Sequence, residues 1–326
     1  MPARVGVIGL GLMGGSLLRR CAAVGRPAAG WDVAGGTVAA VVAAGLAAAP
    51  TLEQLVAASD VLFVAVPLPA LDATFTAVAA MNGAGPAPAG PVVTDLTSVK
   101  QPVRELAAGH GLTFVGGHPM AGSELSGFAA SSAELLAGAA WVLTLDDGTS
   151  LAGWLAVAEI LTSIGCRVVP CTSADHDRAV ARVSHVPHLL AAAVAAGAAG
   201  DPLALALGSG SFRDATRVAA SRPELLAAMC CGNAGAVRAE LAALMGGLKQ
   251  AAGLFGDPSL LTGWFELGRT VRAGWPPAPG AGVEIAVDGE LRQQLLALGR
   301  GGGHLTGVGA DRLTGRAGPE TGGGNN

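Results

Sequence analysis

The sequence contains no tyrosine, only two lysines (Lys100 and Lys249) against eighteen arginines, and no cluster of basic residues. Together with a net charge of −4, this argues against a nucleic-acid partner. The five cysteines, at positions 21, 166, 171, 230 and 231, are odd in number and form no C-x-x-C pair. Neither a disulfide framework nor a zinc site is therefore expected, and a reduced cytoplasmic chain is. Long apolar runs are missing as well. Mean hydropathy is +0.51 and 51% of residues are hydrophobic, but alanine inflates both values. The longest nearly uncharged stretches, such as 189–199, fall far short of the ~20 apolar residues that a membrane span needs. The start, MPARVGVIGLGLMGG, lacks the separate charged, apolar and cleavage regions of a signal peptide. The expectation is a soluble chain without a signal peptide.

What is present has a clear rhythm. Residues 4–8 (RVGVI) form a β-branched run that enters a glycine turn, and an apolar and basic helical stretch follows. Further strand-like runs are PAAGWD, ending at Asp32, then VLFVAV, PVVTDL, LTFVGG, WVLTL and RVVPC. Helical patterns such as TLEQLVAA and PVRELAA lie between them. Strands alternating with short helices predict an α/β fold, a Rossmann-type doubly wound parallel sheet over residues 1–171. From residue 172 to about 270 the pattern becomes long helical segments, so the second domain is expected to be all-helical. Pro187 should kink the first of these helices or end it one residue earlier. Residues 271–326 read as a linker and low-complexity tail, rich in proline and glycine at PPAPGAG and GRAGPETGGGNN. Between those two segments there is room for one strand and one helix, with a faint resemblance to the start of an ACT regulatory domain. Too few residues follow to complete that fold.

Gly9, Gly11 and Gly14 spell G-x-G-x-x-G between a strand and a helix. Glycines allow the tight turn and the close approach of backbone to a pyrophosphate, and the helix N-terminus offers unpaired N–H groups. Asp32, eighteen residues on, ends the next apolar run, where a carboxylate accepts hydrogen bonds from ribose hydroxyls and repels a 2′-phosphate. The cofactor is accordingly expected to be NAD. The expected cofactor-binding set is Gly9, Gly11, Leu12, Met13, Gly14 and Asp32, with Val66 and Pro67 beyond the VLFVAV strand. Short-chain dehydrogenases, whose catalytic acid is a tyrosine, are excluded by the lack of that residue.

Three further segments sit at predicted strand ends or on the helical domain: TDLTSVK (94–100), GGHPMAGSELSG (116–127), and SHVPH (184–188) with GSFRDATR (210–217). His118 follows a strand through two glycines. Its imidazole, with a reference pKa near 6.5, can accept a proton from a substrate hydroxyl at neutral pH. Ser98 can orient that hydroxyl or the histidine, and Lys100 can attract a carboxylate or be a solvated surface cation. Ser184 and His188, four apart, would share a helix face with His185 turned away. Arg217 has the planar fork that grips a carboxylate. An i, i+3 histidine pair (His185 and His188) could bind metal, but no further ligands accompany it, and no metal is expected.

In this order behind the glycine motif, D-x-x-S-V-K, G-H-P-M-A-G-x-E-x-S-G, S-H-x-P-H and F-R-D-x-T-R resemble the prephenate and arogenate dehydrogenases, over about residues 5–235. The resemblance implies an NAD-dependent oxidative decarboxylation of prephenate, or of arogenate, in tyrosine biosynthesis. It implies that His118 hydrogen-bonds the hydroxyl at the oxidised carbon and that Ser184 and His188 line the site. It also implies that Arg217 holds a substrate carboxylate while Asp214 and Glu124 join an ionic network at the cleft mouth. Ser211 stands where relatives often have glycine. A homodimer through the helical domain is expected on the same ground. A 3-hydroxyacid dehydrogenase of the 6-phosphogluconate type would need a lysine with an asparagine four residues on in the helical domain, and no such pair occurs near 170–190. A non-catalytic NAD-binding regulator is the alternative of a different class.

Overall fold

The computed structural model describes residues 2–81, 90–122 and 125–319. The chain folds as two compact units, Met1–Asp177 with Ala281–Gly318, and Arg178–Gly280. The first unit begins with five parallel strands: β1 (Val5–Ile8), β2 (Ala28–Trp31), β3 (Val61–Val64), β4 (Val92–Asp95) and β5 (Phe114–Val115), in the order β2-β1-β3-β4-β5. β1 (VGVI) and β3 (VLFV) are buried at every residue. Continuous apolar runs of this kind suit strands covered on both faces, which parallel sheets require. The chain leaves β1 toward β2 on one side and returns to β3 on the other. The crevice outside the carboxyl ends of β1 and β3 is thus the switch point where such sheets bind ligands.

The single sheet expected over residues 1–171 is in fact two. LTFVGG divides at Gly116, after which β6 (Gly117–Pro119) pairs antiparallel with β7 (Ala140–Thr144), and β7 pairs parallel with β8 (Arg167–Cys171). A Cβ at Gly116 would crowd Thr144 Oγ1, so this glycine lets the two sheets part at close quarters. Trp141, Trp154 and Phe63 fill the interior, with Phe63 and Trp141 edge to face at 6.0 Å.

The expected tail is also corrected. Residues 281–318 fold as β9 (Gly282–Ala286), the helix Leu291–Arg300, β10 (His304–Val308) and β11 (Arg312–Arg316). They extend the second sheet to the order β6-β7-β8-β10-β11-β9. Ile285, Leu291, Leu295, Leu305 and Leu313 are buried in the same core as the first sheet. Arg292 donates to the carbonyls of Asp146 (2.6 Å) and Thr149 (2.7 Å). The strands were hard to read because HLTGV and RLTGR carry few apolar residues and a glycine each.

Among its described residues the second unit is built of helices and carries no strand, with the long helices Ala234–Gly253 and Pro258–Ala273. Asp201 and Asp257 cap two of its helices through backbone N–H groups. Pro187 does not end a helix. A π-helical turn, Ala181–His185, opens the backbone just ahead of it and absorbs the missing N–H, so the helix runs from Ser173 to Gly197. By length and composition alone this helix is apolar enough to cross a membrane. Its first turn is nevertheless held in the first unit, where Ser173 donates to Asp146 and Asp177 accepts from two backbone N–H groups.

Candidate active site

The glycine turn has the geometry that a dinucleotide needs. Gly9 adopts φ +87°, and a Cβ at Gly14 would overlap the Gly9 carbonyl oxygen. A Cβ at Gly11 would meet nothing within 4 Å, so the turn is open on the side from which a phosphate approaches. The helix Leu12–Ala23 starts there with no side-chain cap and no acidic residue in its first turn, leaving its N–H groups and dipole for an anion. Asp32 accepts from the backbone N–H of Leu10 (2.7 Å) and of Ala34 (2.8 Å). Its carboxylate is thereby fixed beside the turn with lone pairs remaining for ribose hydroxyls. Val66 and Pro67 follow β3, and Val66 Cγ1 lies 3.0 Å from where a Gly9 Cβ would stand. Leu12 and Met13 form the first turn of the helix. These residues fit a nucleotide.

At the end of β4 the structure gathers charged groups that the sequence reading left apart. Lys100 is fully buried and paired with Asp95, which is also fully buried. Lys100 Nζ also donates to the Gly117 carbonyl (2.6 Å) and to Thr97 Oγ1 (3.3 Å). All three of its donors are therefore used, and Lys100 is not available as the substrate-carboxylate ligand expected from the sequence. Asp95 accepts from the Gly117 N–H (3.0 Å), so the pair holds Gly117 through both its N–H and its carbonyl. That carbonyl belongs to the peptide bond into His118. Ser98 is half-buried on the same loop.

His118, on β6, is half-buried, and its Nδ1 lies 2.8 Å from Nε2 of His176. His176 Nδ1 in turn lies 2.8 Å from Asp177 Oδ1. Asp177 also accepts from the backbone N–H of Lys100 (2.8 Å) and of Gln101 (2.9 Å). His176 and Asp177 are both 2% exposed. Burial pushes the His176 pKa below its ordinary value. The His176 contact and the two N–H groups hold the Asp177 carboxyl below its own, although burial opposes them. His176 and Asp177 lie in SADHDRAV, a segment that gave no functional expectation. An adjacent His-Asp pair was the only signal there.

The remaining expected residues belong to the second unit, except Glu124, which lies outside the described residues. Ser184 falls in the π-helical turn, so the i, i+4 face expected for Ser184 and His188 is not a regular α-helical one. His188 is half-buried and donates from Nδ1 to the Val218 carbonyl (3.3 Å). His185 is buried, with Nδ1 3.3 Å from Asn233 Nδ2, as a packing role requires. Asp214 pairs with its neighbour Arg213 (3.1 Å) rather than with Arg217. Arg217 is exposed where the helix Gly210–Thr216 tightens into a 3₁₀ turn, Arg217–Ala220.

Comparison with known proteins settles the family. Residues 17–170 match the family described as prephenate dehydrogenase, nucleotide-binding domain, and residues 172–255 match prephenate dehydrogenase, dimerization domain. A solved structure from Corynebacterium glutamicum is 32% identical, covering 90% of this chain and 96% of that one, with a TM-score of 0.82. The chain belongs to the prephenate dehydrogenase family. Synechocystis arogenate dehydrogenase is similar at 30% identity, over 83% of this chain and 97% of that one, with a TM-score of 0.70. A prephenate dehydrogenase of Lactococcus lactis subsp. cremoris is 35% identical over 138 residues. That match spans 40% of this chain and 37% of the relative's length. The nucleotide-binding match contains Asp32, Asp95, Lys100 and His118. The dimerization match contains His176, Asp177, Ser184, His188, Asp214 and Arg217.

Proposed function

We propose that this protein is an NAD-dependent dehydrogenase that oxidatively decarboxylates prephenate to 4-hydroxyphenylpyruvate, a step of tyrosine biosynthesis. The observation that carries this reading is His118, a half-buried imidazole backed by a histidine and a carboxylate, in the unit that holds the nucleotide turn. The glycine turn and Asp32 would hold NAD, which would supply the acceptor for the hydride of the carbinol carbon of the cyclohexadienol. His118 accepts the hydroxyl proton as the carbinol becomes a ketone. The ketone is conjugated to the ring carbon that bears a carboxylate. Loss of CO2 sends its electron pair through the ring to the ketone oxygen, which regains a proton as the ring aromatises, and the step is effectively irreversible.

Asp32 selects NAD by accepting from the ribose hydroxyls and repelling a 2′-phosphate. Ser98 orients the substrate hydroxyl, and Arg217 holds a substrate carboxylate, with Ser184, His188, Asp214 and Glu124 contributing to the binding site. The chain works as a cytoplasmic homodimer assembled through its helical unit. A second reading, oxidation of arogenate, differs only in an amino group replacing the side-chain keto group, and the likeness to Synechocystis arogenate dehydrogenase favours keeping it. One assay tests both: NADH absorbance followed with prephenate and with arogenate, each with NAD and then NADP. Turnover of prephenate with NAD is expected. Turnover of arogenate alone would move the assignment to the second reading, and no turnover of either would overturn it.

A further inference from the structure

We infer that His176 and Asp177 are positioning residues for this reaction: they fix the tautomer of His118 so that its Nε2 is the nitrogen that takes the substrate's proton. The inference rests on the reading of His118 as the base. Hydrogen-bond polarity runs outward from Asp177 through His176 to His118. Two backbone N–H groups, those of Lys100 and Gln101, donate to the two oxygens of Asp177, which commits that side chain to the role of an acceptor. His176 Nδ1, 2.8 Å from Asp177 Oδ1, must then carry the hydrogen of that contact. A neutral His176 with hydrogen on Nδ1 has a bare Nε2, and a bare nitrogen can only accept. His118 Nδ1, 2.8 Å away, is therefore the donor, and the unprotonated nitrogen of His118 is Nε2.

The surroundings oppose the alternative, in which His176 is an imidazolium and donates in both directions. His176 is 2% exposed, and the Lys100 ammonium acts against a second positive charge there, while Asp177 and Asp95 act in its favour. Burial is the largest of these influences and keeps the ring neutral. The two rings meet edge to face, with centroids 5.1 Å apart, which leaves little freedom for His118 to turn over. When the substrate proton arrives at Nε2, His118 becomes an imidazolium whose Nδ1–H already has an acceptor, with the Asp177 carboxylate behind it. The positive charge developing in the transition state is thus met by groups already in place. Buried aspartates perform the same orienting service for catalytic histidines in serine proteases.

The decisive experiment is nitrogen NMR of the full-length protein with labelled histidines. The chain has only six histidines, so the His118 signals can be assigned by their loss in a His118→Asn variant. At neutral pH the expected result is a protonated Nδ1 and a bare Nε2. The opposite tautomer, or an even mixture, overturns the inference. Kinetics give an independent reading. His176→Gln keeps a carbonyl acceptor for His118 Nδ1 and should retain most of kcat. His176→Leu removes it, and kcat should fall by roughly 10²-fold, the lower range for general base catalysis, with a much smaller change in substrate KM. Without its acceptor the imidazolium is less favoured, so the acid limb of the kcat profile should move to lower pH in His176→Leu. Asp177→Asn can present its NH2 to His176 and reverse the whole chain, and it should lose activity in the same way. If His118→Asn abolishes turnover but His176→Leu keeps the wild-type kcat and pH profile, the positioning role fails while the proposed function stands. If His118→Asn itself keeps turnover, the reading of His118 as the base fails first. Should the Leu variant not fold, the wild-type spectrum still decides the tautomer.

Discussion

Replacing Lys100 by methionine separates two roles that a lysine on this loop can have. The structure gives it a buried one: Nζ is enclosed and paired with Asp95, and it donates to the Gly117 carbonyl and Thr97. Methionine fills similar volume but leaves the Asp95 carboxylate buried without its cation. Removing one partner of a buried pair costs about 3–5 kcal/mol, because the remaining charge is neither hydrated nor compensated. Three remaining donors to Asp95, from Thr97 N, Thr97 Oγ1 and Gly117 N, place the expectation at the lower end of that range. At roughly 2–4 °C per kcal/mol for a unit of this size, Tm should fall by about 6–12 °C. Activity should change in kcat more than in substrate KM, because Gly117 loses one of the two grips that fix His118. Thermal melts and steady-state kinetics on the same preparation read both. The double variant Asp95→Asn/Lys100→Met should cost less than the sum of its singles, since the buried charge has gone with its partner. A Lys100→Met protein that melts within about 2 °C of wild type, well below that shift, but has a raised substrate KM would contradict the buried role. It would restore Lys100 as a substrate ligand.

Three further outcomes are expected. On the proposed role of Arg217 as a carboxylate ligand, Arg217→Gln should raise substrate KM about ten-fold while leaving NAD affinity nearly intact; an unchanged KM removes Arg217 from the site. Truncation after Gly280 removes Ile285, Leu291, Leu295, Leu305 and Leu313 from the core, at about 1.5–3 kcal/mol each, a sum comparable to the whole stability of a domain. The truncated chain should be insoluble or unfolded by circular dichroism, and a folded, active one would contradict the packing described for residues 281–318. Thermal stability should fall as pH drops from about 6.5. His176 is held below its ordinary value of 6.5, so in that window the unfolded chain takes up a proton that the folded chain does not. Asp177, also held low, adds its loss only further down, below the ordinary carboxylate range. A Tm that stays level from neutral pH into that window, or the same slope in His176→Gln, would show that His176 is not the group responsible.

The parts of the fold legible in the sequence are those where local pattern and tertiary role coincide. A parallel strand buried on both faces must be apolar throughout, so VGVI and VLFV announced themselves. The glycine turn was legible because its geometry excludes side chains at Gly9 and Gly14 whatever the rest of the chain does. Asp32 followed from its place at the end of β2. Legibility failed where the partner is distant or the local pattern is weak. The split at Gly116 depends on Thr144, 28 positions along the chain. The strands β10 and β11 reach the core through only three apolar residues between them, Leu305, Val308 and Leu313. The π-helical turn shifted the face of Ser184 and His188 through a backbone irregularity that no periodicity encodes.

Lys100 and His176 show why the chemistry was harder to read than the fold. Lysine is a surface residue by default, and the carboxylate of Asp95, the carbonyl of Gly117 and the hydroxyl of Thr97 make its burial tolerable. An apolar trio of similar shape at Asp95, Lys100 and Thr97 would fill the same space, and such replacements are often neutral or stabilising. Stability alone therefore does not account for buried charge at this place. Position does: Asp95 holds the Gly117 N–H, Lys100 holds the Gly117 carbonyl, and Asp177 holds the Lys100 N–H together with the ring of His176. Each of these groups ends, within one or two bonds, on the peptide or the imidazole of His118. A general base must be held to within a fraction of an ångström to act on a hydroxyl, and the backbone pairing of a three-residue strand does not by itself fix an imidazole. The buried charges and the histidine relay are two halves of one support, the first fixing where His118 stands and the second which of its nitrogens is bare.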